Sequence, residues 1–179
     1  MAIDRFVIIS GCSGGGKSTL IKELGRRGYA TVEEPGRRIV QEQLRTKGRA
    51  LPWIDEIAFL RHVIAQARSD YEAARQRQGA WVFFDRGLVD AAIVLQHLTG
   101  EPILSTVGAG LRYHRSVFIA PPWPEIYRTD NERRHGIDAG IAEYERLINA
   151  YPALGYDLVM LPKAGVAERA EFILQTLGL

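Results

Sequence analysis

The run Gly11-Cys12-Ser13-Gly14-Gly15-Gly16-Lys17-Ser18 constrains the fold more than any other stretch of the chain. It satisfies the pattern G-x-x-x-x-G-K-[ST], in which a tight glycine turn makes several backbone N–H groups converge on phosphate oxygens. The apolar run Phe6–Ser10 precedes it and a helical pattern follows from Lys17, the strand–turn–helix context that the motif needs. A helix starting there adds positive potential where phosphates would sit. Gly11, Ser13, Gly14, Gly15 and Gly16 form the cradle. Lys17 is expected at the β and γ phosphates, the Ser18 hydroxyl on Mg²⁺, and Thr19 beside the α phosphate. Cys12 takes a free position of the motif and is read as chemically bland.

A phosphate loop of this kind needs a sheet behind it. Short apolar runs recur at Phe6–Ser10, Ala30–Glu33, Trp81–Asp85, Ser116–Ala120 and Asp157–Leu161, continuous enough for strands buried on both faces. Helical patterns separate them at about Lys17–Arg27, Gly36–Thr46, Trp53–Gln78, Gly87–Leu98, Ile137–Ala150 and Val166–Leu177. This alternation predicts an α/β fold with helices on both sides of a parallel sheet. With 179 residues and no repeat, low-complexity segment or linker, one domain over residues 1–179 is expected. The helix over Trp53–Gln78 should reach roughly 39 Å. Its stripe Trp53, Ile57, Leu60, Ile64, Ala67, Tyr71 and Ala74 suits packing within the chain, with a homodimer contact through 53–78 as the alternative.

Composition narrows the partners. A net charge of +2 suits phosphorylated small molecules and is too mild to argue for nucleic acid. The single cysteine excludes an internal disulfide and fits a reducing compartment. The apolar run Phe6–Ile9 is too short for a membrane span or a signal segment. A cytoplasmic location is expected.

In open parallel sheets ligands sit at the carboxyl ends of the strands, so the residues there carry the chemistry. Trp81 to Phe84 followed by Asp85 matches a Walker-B run, and Asp85 is expected to complete the Mg²⁺ site with Ser18. Its bland alternative is a cap for the helix starting at Gly87. Glu34, after the second strand, is placed to accept a proton from a substrate hydroxyl, the neighbouring Glu33 being the other candidate. Arg37 and Arg86 can clamp an anionic substrate group, or simply neutralise Glu33, Glu34 or Asp85. The segment Ala120–Gly140 reads as a long loop or lid. Within it Arg128, Arg133 and Arg134 could neutralise charge on a transferring phosphoryl group. The loop Leu161–Arg169 is placed to touch a nucleotide base.

Together these pieces resemble P-loop small-molecule kinases. Glu34-Pro35 and Asp85-Arg86 are similar to pairs in deoxynucleoside kinases, whose glutamate serves as base and whose arginine holds the substrate. A nearer likeness is to the AAA-type ATP-binding family that includes ribosylnicotinamide kinase-like domains. It is carried by Glu34 with Arg37, by Asp85-Arg86-Gly87 with Asp90, by Tyr127, Asp130 and Arg133, and by Val166 with Arg169. The resemblance implies a P-loop NTPase fold, a five-stranded parallel sheet in the order 2-3-1-4-5, and Asp90 and Arg37 at the acceptor substrate. It implies ATP and Mg²⁺ as cofactors and a small-molecule acceptor, a nucleoside-like compound foremost. Trp53, Phe59 and Gln66 are candidates to line its pocket. A nucleotide-binding switch without an acceptor and a nucleoside monophosphate kinase are the alternative readings. No guanine-type Asn-Lys-x-Asp run is present, which tilts towards ATP.

Overall fold

Every residue of Phe6–Gly11 is buried, and the reason is the layer on each side of it. In the computed structural model, which describes residues 5–77, 79–107, 111–127 and 136–179, this strand (β1) lies in the middle of a sheet. Its neighbours are β3 (Val82–Asp85) and β4 (Ser116–Ala120), with β2 (Ala30–Val32) and β5 (Asp157–Met160) at the edges. The order is β2-β3-β1-β4-β5 and all four pairings are parallel. The fold class read from the sequence is the one observed, and so is the strand order that the resemblance implies.

The period-two alternation of a strand splits β1 between two cores. Phe6 and Ile8 face α3 (Glu56–Arg75), α4 (Leu88–Thr99) and α6 (Ile137–Ala153), packing with Tyr71, Leu88, Leu147 and Tyr151. Val7 and Ile9 face α1 (Lys17–Arg26) and α7 (Val166–Leu177), packing with Leu20, Leu24, Ala170 and Ile173. A third apolar cluster joins α2 (Pro35–Thr46) to α3 and α4 through Ile39, Leu60, Val63 and Leu95.

Three expectations need correction. The long helix begins at Glu56 rather than Trp53, because the Asp55 side chain accepts the Ala58 N–H at 2.9 Å and caps it. It ends at Arg75, so its 20 residues span about 30 Å. The Ala120–Gly140 stretch is not wholly irregular, since Pro124–Ile126 form a 3₁₀ turn. A short α5 (Ile103–Val107) follows α4 and had no clear signal in the sequence. The α3 stripe does pack within the chain: Leu60, Ala67, Tyr71 and Ala74 are buried, whereas Ile57 stays exposed. No helix among the described residues is long and apolar enough to cross a membrane.

Register is what assembles the site. Gly11 pairs with Ala120, so β1 and β4 finish level, and Asp85 ends β3 opposite Ile9, two residues short of them. The phosphate-loop motif, the acid ending β3 and the loop after β4 therefore open onto the carboxyl end of the sheet.

Candidate active site

The loop after β1 can form only with glycine at particular places. A Cβ on Gly11 would stand 2.3 Å from the Ala120 carbonyl oxygen, and its φ of +113° lies outside the usual range of other residues. Gly16 caps α1 in the left-handed conformation, with φ +75°. Between them the chain turns back on itself, Gly15 N–H donating to the Cys12 carbonyl at 3.2 Å. Cys12 is buried, as its bland reading implies.

Lys17 is buried and its ammonium donates to the Cys12 carbonyl at 2.7 Å. Burial, helped by the positive charge of Arg86, lowers its pKa to about 8. Ser18 Oγ donates to Asp85 Oδ2 at 2.7 Å. The other oxygen, Asp85 Oδ1, is buried with no hydrogen-bond partner among the described residues. Burial and the nearby Glu34 carboxylate raise the Asp85 pKa to about 6. Asp85 does not cap α4. That position is Gly87, whose N–H donates to Asp90 Oδ2 at 2.7 Å. A hydroxyl and an orphaned carboxylate oxygen beside a phosphate cradle form a hard-oxygen donor set of the kind Mg²⁺ takes, so the residues fit that ion.

Arg86 is the junction of the site. It is a non-glycine residue in the left-handed region, with φ +65°, a conformation costing about 1–3 kcal/mol that the surroundings must impose. Its backbone N–H donates to the Ile9 carbonyl at 3.0 Å. Its guanidinium reaches Glu143 at 2.8 Å, Glu34 at 3.4 Å and Asp90 at 3.5 Å. Burial works against the charge, yet these carboxylates raise its pKa above the ordinary arginine value. Arg37 approaches the other oxygen of Glu34 at 3.5 Å. Both arginines thus neutralise Glu34, one of the two roles open to them in the sequence. Asp90 is buried behind this cluster and also accepts hydrogen bonds from Ser10 Oγ and, at 2.7 Å, from Tyr151 Oη.

Two cavities meet here. One, of about 760 Å³, runs from the phosphate loop past Ser18 and Thr19 to Trp123 and the Lys163–Val166 turn. The other, of about 500 Å³, lies between α2, α3, α4 and α6 and contains Trp53 and Phe59 in its wall. Ser13, Glu34, Arg37 and Arg86 line both. Glu33 is exposed and lines neither. Gln66 is outside the second cavity and donates instead to Asp70 at 3.0 Å. Arg128, Asp130, Arg133 and Arg134 lie outside the described residues.

Sequence reading passed over three participants. Glu143 sits on α6 between the buried Gly140 and Leu147, and a charge on that otherwise apolar stripe was its only signal. Arg169 was noted as part of a motif, but not as a clasp. Its Nη2 donates to the Gly15 carbonyl at 2.9 Å, and its guanidinium lies 5.7 Å from the Trp123 ring centroid. Trp123 itself stood in a stretch read as a loop or lid.

A family model described as an AAA domain matches residues 6–169. Deoxyadenosine kinase from M. mycoides with bound dATP is similar in structure, with a TM-score of 0.65 at 13% identity, over 97% of this chain and 99% of that one. The NadR protein in complex with NR gives a TM-score of 0.75 at 16% identity, over 98% of this chain and 52% of that one, so this chain spans about half of NadR. Shikimate kinase from Acinetobacter baumannii in complex with shikimate gives 0.60 at 15% identity, over 98% and 94%. At these identities the likeness shows the fold. No curated protein sequence matches the chain.

Proposed function

The chain belongs to the AAA domain family, and on that premise we propose that it transfers the terminal phosphoryl group of ATP to a hydroxyl of a small metabolite, foremost a nucleoside-like compound. The observation that carries this reading is the shared wall of the two cavities: Glu34, Arg37 and Arg86 stand between a phosphate cradle and a separate, aromatic-walled pocket. A switch that only turns over nucleotide needs no second pocket at that position. The similar folds of deoxyadenosine kinase and shikimate kinase support the same class of chemistry.

In this reading the loop N–H groups and Lys17 hold the β and γ phosphates, and Thr19 lies beside the α phosphate. Ser18 and Asp85 would hold Mg²⁺, which neutralises phosphate charge when bound. The acceptor enters through the second cavity with its hydroxyl towards Glu34. Of the paired acids, Glu34 is the base, because it faces both cavities while Glu33 is exposed away from them. The hydroxyl oxygen attacks the γ phosphorus, the bond to the ADP oxygen breaks, and the hydroxyl proton passes to Glu34. Arg86 and Arg37 balance the charge collecting at that point, with Arg128, Arg133 and Arg134 as proposed contributors from the following loop. Asp90 supports Arg86 from behind.

The test is ADP release from Mg-ATP, alone and with nucleosides, nicotinamide riboside, nucleoside monophosphates and hydroxy acids. One acceptor class should stimulate release manyfold. Glu34→Gln should keep nucleotide affinity and lose transfer by about 100-fold or more, the usual worth of a positioned base. Slow release indifferent to every acceptor would overturn the kinase reading.

A further inference from the structure

The second cavity contains one cationic group that its own walls leave unsatisfied. Arg146, on α6, lines this space and its Nε is buried with no hydrogen-bond partner among the described residues. The cavity's carboxylates are engaged elsewhere. Glu34 pairs with Arg37 and Arg86, and Glu143 pairs with Arg86 at 2.8 Å. Asp90 takes donors from Ser10, Gly87 and Tyr151. Glu56 is exposed in the first turn of α3, where water and the helix N-terminus stabilise it. The buried Nε has no surface open to the cavity, so the terminal N–H groups of the guanidinium are the donors a ligand oxygen there can meet in a charge-assisted bond.

Position then limits what the ligand can be. Ala139, Glu143 and Arg146 share the cavity side of α6 at four- and three-residue spacing. Glu143 marks the level of Arg86 and hence of Glu34. Arg146 stands one turn further along, a rise of about 4.5 Å. The facing wall is made of Trp53, Phe59, Val40 and Leu60, a surface that suits the flat faces of a single ring.

We propose that Arg146 selects the acceptor: it donates to a carboxylate or carbonyl oxygen carried on a ring compound about one helical turn from the phosphorylated hydroxyl. The placement of that hydroxyl rests on the transfer reading above, whereas the Arg146 contact does not. Hydroxylated ring carboxylic acids and nucleosides with a carbonyl-bearing base share this chemistry. Compounds with neither oxygen are poor ligands.

Calorimetry on the full chain with Mg-ADP present separates these cases, using two matched pairs of probes. One pair is 3-(hydroxymethyl)benzoate against benzyl alcohol, and the other is uridine against the C-riboside of benzene. The oxygen-bearing member of one pair should bind roughly 10- to 100-fold tighter, the worth of one charge-assisted hydrogen bond. Discrimination within the first pair identifies an acid, and within the second a nucleoside. Arg146→Gln should erase that discrimination, and Arg146→Lys should retain part of it because charge without the planar fork binds less well. A thermal melt of each variant should match the parent chain. No discrimination by the parent chain, or the same discrimination by Arg146→Gln, would overturn the assignment; so would equal weakening of all four probes. Discrimination without any ADP release on addition of ATP would overturn the transfer reading and leave the Arg146 contact standing.

Discussion

At the scale of single residues, the site is a set of charges whose environments have been moved away from those of free side chains. Asp85 is the sharpest case. Burial and Glu34 raise its pKa from 3.8 to about 6, so between those values the folded chain holds a proton that the unfolded chain has lost. The stability of the metal-free protein therefore falls as pH rises from 3.8 to about 6, and Asp85→Asn should flatten that part of the profile in denaturant titrations at successive pH values. Lys17 gives the opposite sign in a different window. Its folded pKa of about 8 lies below the ordinary 10.5, so the unfolded chain binds the extra proton and stability rises with pH across that interval. Lys17→Ala should remove the alkaline rise while also abolishing nucleotide turnover. An unchanged alkaline profile in that variant would mean that Lys17 is not the group responsible.

At the scale of elements, α6 is the one whose importance comes from what it touches. It brings Gly140 against Cys12 and Ser13, Glu143 to Arg86, and Tyr151 to Asp90. These contacts tie the helix to the phosphate loop, to the junction arginine and to the start of α4. The Tyr151 hydroxyl is fully buried, so Tyr151→Phe keeps the ring packing and removes only a hydrogen bond to a buried carboxylate. The expected loss is about 1–3 kcal/mol of unfolding free energy with an unchanged denaturant slope. A null effect in urea titration would show that the bond is replaced by another donor. α7 is tied to the same loop from the opposite face through Arg169 and the Gly15 carbonyl. The phosphate loop is therefore clasped from both layers, which offsets the large conformational entropy that a glycine-rich segment loses when it is held in one conformation.

At the scale of the whole molecule, stability rests on the two apolar layers that the central strands separate. Phe83 on β3 is fully buried against Val7, Ile9 and Leu20, with Tyr29 edge-on at 5.4 Å between ring centroids. Phe83→Ala should cost about 3–5 kcal/mol, since the rigid sheet cannot close over the space left behind. The midpoint of chemical unfolding measures this. A loss below about 1 kcal/mol would show that the layer relaxes more than its packing indicates.

The phosphate loop, the strands and the acid at the end of β3 were legible in the sequence because each depends on neighbours along the chain, whereas the sheet order came with the family resemblance. Glycines permit the turn, apolar runs buried on both sides mark central strands, and Asp85 ends its apolar strand. Helix limits were less legible at Trp53, where only the Asp55 cap decides the start of α3. The second cavity and its charges were decided in three dimensions. Nothing local to Glu143, Arg146 or Trp123 says that α6 crosses Arg86, or that the loop after β4 lies beneath Arg169. Likewise, the left-handed backbone of Arg86 follows from the Ile9 carbonyl and three carboxylates, none of them adjacent to it in sequence. Sequence alone determined a fold with a nucleotide-type phosphate cradle, because backbone geometry and burial periodicity are local. Tertiary structure decided which charges confront one another across the two cavities, because those pairings form between residues distant in the chain.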